Sequence, residues 1–147
     1  MQCLLGIDVG SIGVKATIFE LDGSGIVANS YVEYPTERPH PLWAEQDPET
    51  VWNATVSTVK TCVKVAGRKR FARDDILAVG VCGHIASPTP LDKRGRCLRK
   101  TIMFYDQRAL PICSRIEDDN VLREELRRAG NVMTANTYAA PKILWIK

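Results

Sequence analysis

The sequence lacks the features that mark several classes of protein. It has two histidines, five widely separated cysteines and no Cys-x-x-Cys pair among its 147 residues. An odd number of scattered cysteines argues against a disulfide framework and against a zinc knuckle. It favours a reducing compartment, so we expect a cytoplasmic protein.

Long apolar runs and a strong charge of one sign are also missing. The apolar run at the N-terminus stops after a few residues at Asp8 and follows no basic segment, which fits neither a signal peptide nor a membrane-spanning helix. Twenty basic residues against 17 acidic ones leave a net charge of +3, which is mild for a nucleic-acid-binding domain. We therefore expect no membrane and no nucleic-acid partner. No repeat or linker is visible, and a composition of 45% hydrophobic and 25% charged residues fits one globular core.

What the sequence has is a series of short strand and helix patterns. Residues 3–7, 14–21 and 26–34 are apolar or alternating, and glycine-rich turns separate them. This pattern predicts a three-stranded antiparallel meander. A strand over residues 76–82 is apolar on both faces and is predicted to be central in its sheet. A hairpin is predicted over residues 89–98.

Helices are predicted between and after these strands. Asp47 suits an N-cap and Pro48 suits the first helical position. Apolar residues then recur at steps of four and three until Gly67, and they are Trp52, Val56, Val59, Val63 and Ala66. Further helices are predicted over residues 108–116 and 120–129 and from Pro141. The basic cluster that follows the first helix is predicted to be a solvated turn; it contains Lys64, Arg68, Lys69, Arg70 and Arg73.

The most informative stretch runs from Gly6 to Lys15. A carboxylate, Asp8, ends the first strand, and a turn with Gly10 and Gly13 follows it. Glycines that adopt positive φ let successive backbone N–H groups converge on an anion, and Asp8 could hold hydrated Mg²⁺. Ser11 could add a hydroxyl group and Lys15 a positive charge. The stretch has neither a Walker A spacing nor Gly-x-Gly-x-x-Gly. In isolation, it equally suits an ordinary β-turn with an exposed aspartate.

Four stretches in this order and spacing resemble the FGGY carbohydrate kinases, the family that contains xylulokinase, gluconokinase, ribulokinase and glycerol kinase. The stretches are residues 6–10 with Lys15, residues 43–49 with Trp52, residues 80–84 leading to Leu91, Asp92 and Gly95, and residues 105–109 with residues 140–145. The resemblance implies an α/β fold of the ribonuclease-H-like or actin-like ATPase type. In that fold a mixed sheet combines the antiparallel meander with a parallel strand, and helices flank it.

The resemblance also implies roles for particular residues. ATP phosphates would meet the loop that contains Asp8, Gly10, Ser11, Gly13 and Lys15, with Asp8 as the Mg²⁺ ligand. The sugar or polyol would meet His84, Asp106 and Arg108. Arg108 could equally cap a helix or pair with Asp106, and a lone histidine such as His84 also suits a structural role. The three tryptophans are expected to be packing residues, and Cys82 is expected to be a buried, inert thiol.

Two departures from the family pattern concern these sites. Ile12 stands where family members commonly have a second hydroxyl residue, and Phe104 stands where they commonly have a tryptophan. The implied reaction transfers the γ-phosphate of ATP to a sugar hydroxyl, with a xylulose-like pentose favoured. The family's catalytic base would follow Lys147. We therefore expect residues 1–147 to be the N-terminal, incomplete part of a kinase domain, inactive alone, and a homodimer is a further expectation.

Two alternatives stay open at the level of sequence. A free-standing, non-catalytic sugar- or phosphate-binding module of the same fold would keep the loop and lose the chemistry. A ribonuclease-H-like nuclease would need clustered carboxylates for two metal ions. Residues 80–83 offer no acidic side chain at the end of the central strand, which disfavours the nuclease.

Overall fold

Strands and helices alternate along the computed structural model, which describes residues 1–69, 71–128 and 136–147. The strands are β1 (Cys3–Val9), β2 (Gly13–Glu20), β3 (Ile26–Glu33), β4 (Glu45–Gln46), β5 (Ile76–Gly83) and β6 (Thr101–Ile102). The helices are α1 (Pro48–Ala66), α2 (Leu110–Asp118), α3 (Asn120–Arg128) and α4 (Ala139–Ile146), and a short 3-10 helix covers Arg73–Asp75. The described residues form two compact units, one from residues 1–35 and 49–84 and the other from residues 36–48 and 85–147.

The first unit contains a four-stranded mixed sheet in the order β3-β2-β1-β5. β1, β2 and β3 pair antiparallel, and β5 pairs parallel with β1. The predicted meander is therefore confirmed. The core lies between the sheet and α1. The sheet contributes Cys3, Leu5, Ala16, Ile18 and Val27, and α1 contributes Cys62 and Ala66.

The helix α1 spans the predicted residues and shares part of the predicted inward face, because Ala66 is buried and Val59 and Val63 pack partly buried against the core. Its buried residues are Ala54, Thr58, Cys62 and Ala66, which recur every four residues. These side chains are small, so the helix lies close to the sheet, and the Cys62 thiol reaches within 3.5 Å of the Ala16 carbonyl oxygen. The prediction that Trp52 packs in the core was wrong, because its side chain is 61% exposed.

The strand β5 is at the edge of the sheet rather than in its centre. In the described part of the chain, β1 is the strand that pairs with it. Its apolar side chains are consequently open to solvent, with Leu77, Val79 and Val81 between 53% and 68% exposed. The apolar pattern on both faces predicted a central strand, and this prediction was wrong because, among the described residues, no second strand pairs with the outer edge of β5.

The second unit contains small β elements and three helices. β4 pairs antiparallel with β6. The predicted hairpin is confirmed by a bridge between Leu91 and Cys97, with Gly95 in its turn at φ +76°. α2 begins at Leu110 rather than at residue 108, and α4 begins at Ala139 with Pro141 in its first turn, where a missing N–H costs nothing. The predicted end of α3 at Ala129 lies outside the described residues.

Two further predictions concern the surface. Lys64, Arg68 and Arg73 are exposed, as expected for a solvated turn, whereas Lys69 donates a hydrogen bond to the Val27 carbonyl oxygen at 2.7 Å. Arg70 lies outside the described residues. Among the helices that the structure describes, none has the length and apolar character needed to cross a membrane.

Candidate functional site

The loop between β1 and β2 is a tight hairpin turn with two residues at its tip. The Gly10 N–H donates to the Gly13 carbonyl oxygen at 3.0 Å, which leaves Ser11 and Ile12 between them. Tyr34 supports the turn from beneath: its N–H donates to the Ile12 carbonyl oxygen at 3.1 Å, and its hydroxyl donates to the Gly10 carbonyl oxygen. Ile12 is 66% exposed, so the tip of the turn faces solvent.

The glycines of this turn are required by close packing and not by positive φ. The described glycines with positive φ are Gly23 and Gly95, so the predicted left-handed backbone at Gly10 and Gly13 was wrong. A Cβ atom on Gly13 would lie 2.5 Å from the Val32 carbonyl oxygen, and one on Gly10 would lie 3.2 Å from the Gly13 carbonyl oxygen. The backbone of the turn is therefore held close to β3.

Asp8, Lys15 and Cys82 lie side by side on one exposed face of the sheet. Asp8 is the register partner of Lys15 across β1 and β2, and of Cys82 across β1 and β5. The Cys82 thiol donates a hydrogen bond to Asp8 Oδ1 at 3.4 Å, and this interaction with the carboxylate raises the pKa of Cys82. Cys82 is exposed, so the prediction of a buried thiol was wrong.

These three side chains border an open groove of about 370 Å³ on the same face. Its lining residues include Gly6 and Gly80, which present no side chain. In the described part of the chain, no group of three or more His, Cys, Asp or Glu side chains could hold a metal ion. Mg²⁺ commonly keeps several waters and binds one or two carboxylates, so a single exposed carboxylate at Asp8 is compatible with the predicted role. Lys15 beside it adds positive charge for phosphate oxygens.

His84 follows β5 and is attached to β1. Its N–H donates to the Val9 carbonyl oxygen at 3.1 Å. The side chain is partly buried, and this burial lowers its pKa. A neutral imidazole can both donate and accept a hydrogen bond, which suits a hydroxyl group. Two residues later, Ala86 has φ +58°, a conformation that residues other than glycine adopt at a cost.

Asp106, in the second unit, is fully buried and receives four hydrogen bonds. Its Oδ1 accepts from the Arg108 backbone N–H at 2.9 Å and from Arg108 Nε at 2.8 Å. Its Oδ2 accepts from the Ala44 N–H at 2.6 Å and from Arg108 Nη2 at 2.8 Å. Burial opposes the charge, but these donors outweigh it and hold the pKa of Asp106 below its ordinary value. A sugar hydroxyl would have to displace one of them, and direct contact between Asp106 and a sugar stays a prediction.

Arg108 is held by two carboxylates and two aromatic rings. Besides its fork on Asp106, its Nη1 lies 2.7 Å from Glu45 Oε1. Its guanidinium carbon lies 3.9 Å from the ring centre of Trp43 and 5.0 Å from that of Trp145. The two indoles also contact each other edge to face, with ring centres 5.4 Å apart. Trp43 and Trp145 thus pack as predicted, around a guanidinium group whose side chain is 0% exposed.

The sequence analysis overlooked two side chains of this second unit. Glu45 forms ion pairs with both Arg99 and Arg108. Lys142 is fully buried at the start of α4. A lysine flanked by Pro141 and Ile143 carries no sign of burial in its own sequence context, although it falls within one of the four family-like stretches.

Comparisons with known proteins identify similar chains. The model of the FGGY family of carbohydrate kinases, N-terminal domain, matches residues 3–147. A xylulose kinase from Klebsiella pneumoniae is 36% identical over 143 residues, and one from Escherichia coli (strain K12) is 34% identical over 147 residues. Each alignment covers 97% of this chain and 28% of the relative, so the chain spans little more than a quarter of these relatives' length.

Solved structures show the same fold. A xyloylose kinase from Brucella ovis superposes with a TM-score of 0.83 at 30% identity, covering 99% of this chain and 29% of that one. A glycerol kinase from Plasmodium falciparum, crystallised with ADP, superposes with a TM-score of 0.83 at 19% identity, covering 99% of this chain and 28% of that one. The α/β fold with a mixed sheet predicted from the sequence is therefore confirmed.

Proposed function

Because the chain belongs to the FGGY family of carbohydrate kinases, we propose that it carries the nucleotide-phosphate loop and part of the sugar site of an ATP-dependent kinase. The proposed reaction transfers the γ-phosphate of ATP to a hydroxyl of a sugar or polyol. A xylulose-like pentose is favoured, since two xylulose kinases share 36% and 34% of the aligned residues with this chain, compared with 32% and 31% for two glycerol kinases. Residues 1–147 would form the truncated N-terminal domain of that kinase.

The observation that carries the proposal is the position of Asp8 and Lys15 as register partners beside the β1–β2 turn. Asp8 would hold Mg²⁺, which neutralises phosphate charge during transfer. Lys15 would contact phosphate oxygens, and the backbone of Gly10, Ser11 and Gly13 would face the phosphate chain. All of these residues lie in the first unit, on elements tied together by the sheet.

The sugar side of the proposal rests on His84, Asp106 and Arg108. His84 would exchange hydrogen bonds with a sugar hydroxyl, because burial lowers its pKa and so favours the neutral ring, which can both donate and accept. Asp106 and Arg108 lie in the second unit as a coupled pair and are the other proposed sugar contacts. Their mutual hydrogen bonds fix the backbone of the segment from Phe104 to Arg108.

We propose that residues 1–147 contain no catalytic base and that the chain alone does not turn over. Phosphoryl transfer needs a carboxylate that accepts the proton of the attacking hydroxyl. Asp106 is a poor candidate because four N–H donors already occupy its carboxylate. Asp8 is assigned to Mg²⁺. A cytoplasmic location, a homodimer and the lack of nucleic-acid or membrane partners remain predictions from composition.

The test combines binding with turnover. Calorimetric titration of the chain with Mg²⁺·ATP should show saturable binding, and AMP should bind about tenfold more weakly because it lacks the β- and γ-phosphates. Lys15→Met should weaken ATP binding, whereas Lys60→Met, on the exposed surface of α1, should not. An ADP-release assay with ATP and D-xylulose or glycerol should detect no turnover. Equal affinity for AMP and ATP, or phosphorylation by the chain alone, would overturn the proposal.

A further inference from the structure

Lys142 is a fully buried lysine whose charge the proposed reaction does not use. Its Nζ donates to three backbone carbonyl oxygens: those of Phe104 and Tyr138, each at 3.0 Å, and that of Asn136. An ammonium group has three N–H donors, so its hydrogen-bonding capacity is met entirely by backbone. Burial lowers the pKa of this lysine, and the nearby Asp106 carboxylate opposes that effect.

The three carbonyl groups come from two separate parts of the chain. Phe104 belongs to the segment that leads to Asp106, whereas Asn136 and Tyr138 directly precede α4. Asn136 adds a second link, because its side-chain Nδ2 donates to the Asp106 carbonyl oxygen at 2.6 Å. Lys142 thus ties the start of α4 to the segment from Phe104 to Arg108 at two places, one direct and one through Asn136.

We propose that Lys142 is a positioning residue for the sugar site, acting through the segment from Phe104 to Arg108. The ammonium group fixes the backbone on the N-terminal side of Asp106, while Arg108 fixes its carboxylate. A solvent-exposed lysine could leave its partners to water, but a buried one leaves three carbonyl groups and its own charge uncompensated if it moves. The segment therefore has one strongly preferred position. The inference rests on the proposed function, since the site that it positions is the proposed sugar site.

The test compares Lys142→Met with Lys147→Met, which removes an exposed lysine immediately after the same helix. The first readout is amide hydrogen exchange at Ala44 and Arg108, whose N–H groups donate to Asp106. Lys142→Met should speed exchange at both amides by about tenfold relative to Lys147→Met. The amides of β1 and β2 should be unaffected. This readout does not depend on whether the chain binds a sugar.

The second readout separates positioning from simple loss of stability. Lys142→Met should weaken D-xylulose binding by about tenfold and leave Mg²⁺·ATP affinity unchanged. If Lys142→Met does not fold, Asn136→Ala removes the second link without leaving a buried charge unpaired, and it should shift both readouts in the same direction by a smaller factor.

Three outcomes would overturn parts of this account and can be told apart. Equal exchange rates in the Lys142→Met and Lys147→Met chains would overturn the positioning role. Equal loss of D-xylulose and ATP affinity would do the same, because it would indicate a general structural role. Failure of the wild-type chain to bind either D-xylulose or glycerol would overturn the proposal that these residues form part of a sugar site, and the exchange readout would still test the positioning role.

Discussion

The substitution Arg108→Met tests a buried ion pair of the second unit. Arg108 makes a fork on Asp106 with two bonds of 2.8 Å and lies 2.7 Å from Glu45. Removing one partner of a buried ion pair costs about 3 to 5 kcal/mol, because the remaining carboxylate stays buried without its counter-charge. Methionine keeps most of the apolar stem between Trp43 and Trp145, so packing contributes little to the loss. We expect a decrease of about 3 to 5 kcal/mol in the free energy of unfolding.

Equilibrium unfolding in urea measures this change, with tryptophan fluorescence as the signal because two indoles flank the guanidinium group. Arg108→Lys keeps the charge but loses the planar fork, so it should fall between the wild type and Arg108→Met. In the pair of variants Asp106→Asn and Asp106→Asn/Arg108→Met, the second substitution should cost much less than it does alone. A loss below about 1 kcal/mol for Arg108→Met, as for a surface pair, would refute the reasoning.

Three other predictions follow from the geometry. Gly13→Ala should lower the melting temperature by several degrees, since its Cβ would lie 2.5 Å from the Val32 carbonyl oxygen. Stability should decrease on acidification in part through Asp106: its folded pKa lies below the unfolded value of about 3.9, so its contribution is complete above that pH and is lost as pH falls through the folded pKa. In the Asp106→Asn chain, the urea midpoint should therefore change less with pH between about pH 4 and pH 2. Asp8→Asn should speed alkylation of Cys82 by iodoacetamide at pH 8, because the carboxylate raises the pKa of that thiol.

Two of these predictions have a matched control in the same chain. Gly25→Ala meets no atom within 4 Å and should leave the melting temperature nearly unchanged. Cys97 is also exposed and belongs to the second unit, so its alkylation rate should be the same in both chains. An unchanged melting temperature in Gly13→Ala would contradict the packing argument. An unchanged pH dependence of the urea midpoint in Asp106→Asn would contradict the role of Asp106 in acid stability. Equal acceleration of alkylation at Cys82 and Cys97 would contradict the effect of Asp8 on the Cys82 thiol.

Local patterns were sufficient to predict the order of β1, β2, β3, α1 and β5, but not the two-residue strands β4 and β6. The meander, α1 and the hairpin around Gly95 depend on periodicity and turn chemistry within short windows, and these are present in the sequence. The burial of Ala54, Thr58 and Cys62 on α1 was not predicted, because these side chains are smaller and less apolar than Trp52. Close packing of α1 onto the sheet favours small side chains, and no pattern in a single sequence indicates how closely the helix approaches the sheet.

One part of the candidate site could likewise be predicted from the sequence, and the other part could not. The association of Asp8 with Lys15 follows from a two-residue turn, because the hairpin register makes them opposite neighbours. Glu45 and Trp145 both contact Arg108, although they lie 63 and 37 residues away from it in the sequence. Long-range partners of this kind, like the three carbonyl groups around Lys142, depend on tertiary structure.

The central claim is that the turn between β1 and β2 meets the phosphates of the nucleotide. Titration of the ¹⁵N-labelled chain with the Mg²⁺ complex of a non-hydrolysable ATP analogue tests it directly. The account predicts saturable shifts at the amides of residues 10–15, and much weaker binding in the Asp8→Asn chain. Saturable binding with shifts confined to other residues, or equal affinity in the wild-type and Asp8→Asn chains, would contradict it.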